Sequence, residues 1–216
     1  MTINYYGLSC FKFTTKSSNG KEHSVVVDPF DSKVAGLKLP RLKADIVLSS
    51  NKANNLHGNI LSVNSASDKE IFSIHTPGEH EVQDIFVQGI KGEDDSIVFY
   101  LELEKIKIAF LGSLKKPSLS PDQLEVLENS DILIIPIGGG DILNAKQAKD
   151  LTNQLEPRLV IPCFYKAPGV KVKGIADTPE QFFKELGLKP ADKQDKLRIS
   201  AKDLPQEELK AFWLTF

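Results

Sequence analysis

The sequence predicts a layered fold of the α/β or α+β kind, with sheets inside and helices outside. Two observations predict it. The first half of the chain alternates apolar and polar residues in short runs separated by turn residues, as half-buried strands do. The second half carries continuous apolar runs, DILIIPI from Asp131 to Ile137 and RLVIPCF from Arg158 to Phe164, each following a helix-like segment; such runs mark strands buried on both faces. Strands followed by strand–helix–strand units imply sheets covered by helices. No repeat or low-complexity linker divides the 216 residues, so the chain reads as one domain, residues 1–216.

The elements follow in order. Phe11, Phe13 and Thr15 alternate with polar neighbours in the strand Ser9–Thr15. Ser18 to Lys21 supplies hairpin-turn chemistry, and Ser24–Val27 is the returning, more buried strand. Asp28-Pro29-Phe30 closes it, because proline cannot donate to a central ladder. Further strands are expected at Asp45–Ser49, Glu70–His75, Asp84–Ile90, Ser96–Glu104 and Lys107–Leu111, with turns at Gly92–Asp95 and Glu104–Lys105, a mostly antiparallel meander. Pro121–Glu128 reads as a helix capped by Ser120 with proline at its first position. Asn144–Leu155 is a second helix, and Thr178–Leu186 a third, opened by Thr178-Pro179 and stopped by Gly187. Leu197–Ser200 and Ala211–Phe216 are expected as edge or terminal strands.

Composition excludes several function classes. Hydrophobic residues make 41% of the chain and charged residues 26%, enough apolar material for a core. Lys+Arg number 27 against 29 Asp+Glu, with no long basic run, so no nucleic-acid face is expected. The lysines between Lys189 and Lys196 alternate with aspartates and read as solvated surface. No apolar stretch approaches the roughly 18 residues of a membrane span, and the N-terminus lacks the basic-then-apolar order of a secretory signal, so a cytoplasmic protein is expected. Cys10 and Cys163 each sit in an apolar run, where two buried thiols in a reducing compartment are favoured over one disulfide. No Cys-x-x-Cys pair exists to hold finger-type zinc.

Seven segments in series resemble a known family. Tyr6-Gly7-Leu8-Ser9-Cys10-Phe11 is similar to a G-H-S-x-F opening, Val25 to Phe30 to a hydrophobic-D-P-F strand end, and Ala44 to Ser50 to a strand leading into a T-H-x-H-x-D-H loop. Pro77-Gly78-Glu79-His80-Glu81-Val82 resembles the P-G-E-Y-E-V of one bacterial subgroup, and Phe110 to Ser113 falls where L-G-D is written. Asp131 to Gly139 resembles D-hydrophobic-P-I-G-G, and Val160 to Tyr165 falls where V-I-P-x-H-Y is written. Together, over residues 3 to 166, they resemble the metallo-β-lactamase superfamily, in the branch of ascorbate-phosphate-lactonase-like and related zinc hydrolases. The resemblance implies an αββα sandwich of two mixed sheets flanked by helices, and a hydrolase whose metal ions activate water against an ester, lactone or phosphoester.

The same correspondence implies a degenerate site. Where the family's loop carries His, His, Asp and His, this chain has Asn51, Ala53, Asn55 and Leu56. The bridging Asp corresponds to Ser113, the last His to Phe164, and the opening His to Leu8. Neutral amides bind transition metals poorly and hydrocarbon not at all, so no metal and no cofactor is expected there. The six positions Asn51, Ala53, Asn55, Leu56, Ser113 and Phe164 are then a ligand pocket for an unknown small molecule or protein, in a binding or scaffold domain; a homo-oligomer stays open. A residual polar site is considered at Asp28, His57, Glu79 and His80. The plainer expectation is that Asp28 fixes its loop by accepting backbone hydrogen bonds, His57 caps or packs a helix start, and His80 is a half-buried aromatic substitute in a turn with Glu79. His75 and His23 read as strand residues. The alternative is a divergent hydrolase using a relocated zinc site or a metal-free one. Ser9 and Ser113 show no His–Asp relay in the sequence, Gly138 to Asp141 reads as a turn, and Pro168 to Gly174 as a mobile surface loop able to gate a cleft.

Overall fold

The computed structural model describes residues 1–92, 96–189 and 192–216. The turn expected at Gly92–Asp95 and the lysine-rich stretch from Lys189 therefore lie partly outside the described residues.

Six strands form the first sheet. β1 (Thr2–Tyr5), β2 (Phe11–Lys16) and β3 (Glu22–Val27) pair antiparallel, and β2 alternates buried and half-buried residues as its sequence requires. The one-turn helix α1 (Ser32–Ala35) and the short β4 (Lys43–Ala44) intervene before β5 (Ile46–Leu48), and β6 (Asn64–Ser65) before β7 (Phe72–Ile74). β5 lies parallel to both β3 and β7, which corrects the expected antiparallel meander in this part of the chain. The cause is visible in Ile46-Val47-Leu48, a wholly buried triplet that loops rather than tight hairpins connect to its neighbours. β14 (Lys196–Arg198) pairs with β1 at the edge, where an edge strand was expected.

The second sheet has seven strands in the order β15-β13-β12-β11-β10-β9-β8. β8 (Gly78–Val82), β9 (Ile85–Lys91), β10 (Ile97–Leu103) and β11 (Ile106–Phe110) form the meander, and β12 (Ile132–Pro136), β13 (Leu159–Cys163) and β15 (Lys210–Ala211) extend it in parallel. Helix α2 (Pro121–Leu127) connects β11 to β12 and α3 (Ala145–Leu155) connects β12 to β13; α4 (Pro179–Leu186) follows β13 and packs on α3. Their starts are fixed locally. Ser120 and Gln123, Asn144 and Gln147 satisfy each other's backbone N–H groups in capping boxes, and Gly187 at φ 68° ends α4. Several short elements escape the sequence reading, among them β1, α1, β4 and β6, and β8 is strand where Gly78-Glu79-His80 was expected as a turn.

The two sheets face one another across a single apolar cluster, seen in the edge-on contact of Phe11 on β2 with Phe110 on β11 at 6.2 Å. Between that cluster and the helices, β12 and β13 are buried on both faces. Parallel β3 and β5 in one sheet, and β11, β12 and β13 in the other, end at neighbouring positions in one cleft. The carboxyl ends of parallel strands are where α/β folds place their sites.

Candidate functional site

At this edge the backbone turns sharply. Leu8, Asp28 and Phe164 all take left-handed conformations, with φ of 50°, 50° and 48°. Such conformations cost roughly 1–3 kcal/mol each for residues other than glycine and persist only where the surroundings hold them. Here the holding bonds are specific. The Leu8 carbonyl accepts from Phe164 N at 2.6 Å and from the Tyr5 hydroxyl at 2.7 Å, joining the first strand pair to the end of β13. Asp28 N donates to Leu48 O at 2.9 Å.

Asp28 is the centre of the polar arrangement. Its buried carboxylate accepts from Ser50 N and Ser50 Oγ, each at 2.6 Å, and lies 3.0 Å from His57 Nδ1. Ser9 Oγ lies 2.8 Å from that same nitrogen. An unprotonated Nδ1 would point its lone pair at the carboxylate, so Nδ1 carries the proton and donates it to Asp28. Asp28 and His57 are expected from the sequence in a residual polar site, but Ser9, which lies on a third segment, is not. Nor does this trio make a nucleophile. A serine relay needs the hydroxyl on one ring nitrogen and the carboxylate on the other, whereas Ser9 and Asp28 share Nδ1 and Ser9 is fully buried.

A small cavity of about 60 Å³ opens beside His57. Of the expected pocket residues, Asn51, Leu56, Ser113 and Phe164 line it; Ala53 and Asn55 do not, and Asn54 takes their place. The loop explains this correction. Asn51 O accepts from Asn54 N, and Asn54 O accepts from both His57 N and Gly58 N, so the chain coils through tight turns that leave Ala53 and Asn55 exposed. The Asn55 carbonyl instead accepts from Asp31 N at 2.8 Å. Phe164 stacks on the His57 imidazole with ring centres 5.4 Å apart and planes at 14°, filling much of the cleft. His57 thus packs against Asp28, Ser9 and Phe164 and does not cap a helix start. Ser113 Oγ reaches Ser50 O at 3.4 Å.

The loop after β13 covers the cavity. Val172, Lys173 and Ile175 line it, while Lys171 N donates to Ala35 O at 2.9 Å and Ala176 N to Gly138 O at 2.8 Å. A Cβ at Gly138 would meet Phe164 O at 2.3 Å and Ile175 Cγ2 at 2.8 Å. The segment expected to be a mobile gate is therefore pinned at both flanks as a cover.

Glu79 and His80 do not join Asp28 and His57. They lie on β8, the edge of the second sheet, where His80 contacts Phe72 edge-on at 5.8 Å. His75, just past β7, accepts from Lys52 Nζ at 2.9 Å; burial and the lysine charge hold its pKa below the ordinary imidazole value. Behind the site, burial and the charge of Asp28 push the Cys10 and Cys163 thiols well above their usual range, and both are unpaired thiols.

The donor set does not fit a divalent ion. The residues lining the cavity include one histidine, His57, the asparagines Asn51 and Asn54, Ser113, a single carboxylic residue, Asp141, and the exposed lysines Lys115 and Lys173. Among the described residues no three His, Cys, Asp or Glu side chains gather in a metal-sized group, and no helix is long and apolar enough to cross a membrane.

Comparison with known proteins agrees with the architecture. A solved structure from Thermotoga maritima, described as a candidate zinc-dependent hydrolase of the metallo-β-lactamase superfamily, superposes with a TM-score of 0.78 at 27% identity, covering 99% of this chain and 98% of that one. Igni18, a metallo hydrolase from Ignicoccus hospitalis, shares the fold at a TM-score of 0.61 and 16% identity, with 86% and 90% of the chains covered. Among curated sequences, a UPF0173 protein of Pyrococcus abyssi is 23% identical over 191 residues, 78% of this chain and 85% of its own length. Residues 2–164 match the profile of the β-lactamase superfamily domain. With that match over most of its length and two mixed sheets meeting at a strand-end cleft, the chain belongs to the metallo-β-lactamase superfamily.

Proposed function

We propose that this hydrolase-like protein is a non-catalytic member of its superfamily, a binding or scaffold domain whose metal ligands have been replaced. The observation that carries this reading is the His57–Phe164 stack over the buried Asp28–His57 hydrogen bond. It spends the cleft's imidazole on the fold and sets hydrocarbon where the family resemblance implies a ligand. In this reading the protein works in the cytoplasm without a cofactor. Its partner is a small molecule or a protein, not nucleic acid or membrane, in keeping with the balanced charge of −2. Elemental analysis of the purified protein tests it: less than about one tenth of a metal per chain is expected, and near-stoichiometric zinc, iron or manganese overturns it.

A second reading, a divergent hydrolase of a lactone, ester or phosphoester, is favoured by one observation, the proximity of Ser9, His57 and Asp28. Its weakness is the shared nitrogen. Turnover in a substrate screen that vanishes in His57→Ala would establish it; turnover equal in that variant removes its mechanism.

A further inference from the structure

In a metal cleft the ion supplies positive charge and the protein supplies lone pairs. Here the protein side is inverted. Asn54 Oδ1 already accepts from Leu56 N at 2.9 Å, so the amide group it has left is the donor Nδ2. With its proton on Nδ1 and held by Asp28, His57 brings no donor to an anion from Nε2. Lys173, an exposed lysine, is among the lining residues, as are Lys115 and a second asparagine, Asn51. Only Asp141 brings a carboxylate to the lining. At about 60 Å³ the space suits a group of a few heavy atoms; an entire drug-sized ligand needs roughly 300 Å³ or more.

We propose that this cavity is an oxyanion site, taking a phosphate-class group between Lys173 and the amides of Asn51 and Asn54, with Asp141 as the opposing charge that limits its affinity. The proposal rests on the reading that metal chemistry has been lost from the cleft. Inorganic phosphate, free or as the head of an ester whose body stays outside, is a compact oxyanion able to accept charge-assisted hydrogen bonds from such side chains.

The test is calorimetric titration and thermal unfolding of the full chain with inorganic phosphate, against sodium chloride at matched ionic strength. Phosphate is expected to bind and raise Tm progressively, as a ligand of the folded state does, while chloride does not. Lys173→Ala should weaken binding about tenfold, the loss of one charge-assisted contact. Asn54→Asp, which keeps the cap on Leu56 N, should weaken it at least as much, so a loosened cover alone does not explain the result. Asp141→Asn should tighten binding severalfold, and Lys21→Ala on the distant hairpin should change nothing. Glycerol 1-phosphate binding more tightly than phosphate identifies an ester head; the reverse identifies the free ion. No binding, an equal effect of chloride, or binding indifferent to Lys173, Asn54 and Asp141 overturns the proposal. Stoichiometric metal in the purified protein overturns instead the reading beneath it.

Discussion

Replacing Asp28 by alanine removes the acceptor for three buried donors at once: Ser50 N and Ser50 Oγ at 2.6 Å, and His57 Nδ1 at 3.0 Å. Hydrogen bonds to a charged group contribute about 1.5–3 kcal/mol each, but orphaned donors relax and share water, so the three are not additive. Leaving a buried donor unsatisfied costs about 1–3 kcal/mol, so with three donors orphaned and partly relaxing, a loss of about 3–5 kcal/mol is the expectation for Asp28→Ala. Asp28→Asn should cost only about 1–2 kcal/mol. Asparagine tolerates the left-handed φ of 50°, keeps one oxygen for Ser50 N, and can turn its amide to a His57 that has switched tautomer. Urea unfolding followed by circular dichroism, with m unchanged between variants, measures both. A loss below about 1 kcal/mol for Asp28→Ala, no more than an ordinary surface change, would refute the claim that this carboxylate organises the cleft. Equal losses for the two variants would refute the hydrogen-bond argument.

Three further outcomes follow from the structure. Gly138→Ala, whose Cβ would press on the Phe164 carbonyl and Ile175, should destabilise by about 1–3 kcal/mol and raise protease cleavage at 168–174; unchanged cleavage means that the cover is not pinned there. His75 is held below its ordinary value by burial and Lys52, so its contribution is complete above the unfolded value of 6.5 and is lost as pH falls through the lowered folded value. Lys52→Ala should move its NMR titration midpoint up toward 6.5, and an unmoved midpoint contradicts the 2.9 Å contact. Cys10 and Cys163, fully buried with raised pKa values, should resist a thiol reagent at pH 8 in the native state and react together on unfolding; fast native labelling of either contradicts the burial.

Much of this molecule is legible in its residues because the relevant signals are local. Alternation over Ser9–Thr15, the buried runs at 131–137 and 158–164, and Ser120, Asn144 and Gly187 at helix ends all act within a few residues. Tertiary structure alone decided which of these segments meet. That β5 runs parallel to β3 and β7 depends on distant pairing, which a buried triplet leaves undetermined. The family resemblance names Asn51, Leu56, Ser113 and Phe164 for the cleft, and with them Ala53 and Asn55, which the tight turns of the loop keep out of the lining. Asp28 and His57 are expected together in a residual polar site, but nothing in the sequence joins Ser9 to them. They become one hydrogen-bonded group only when three connecting segments converge, since such bonds act over about 3 Å of space whatever the length of chain between their partners.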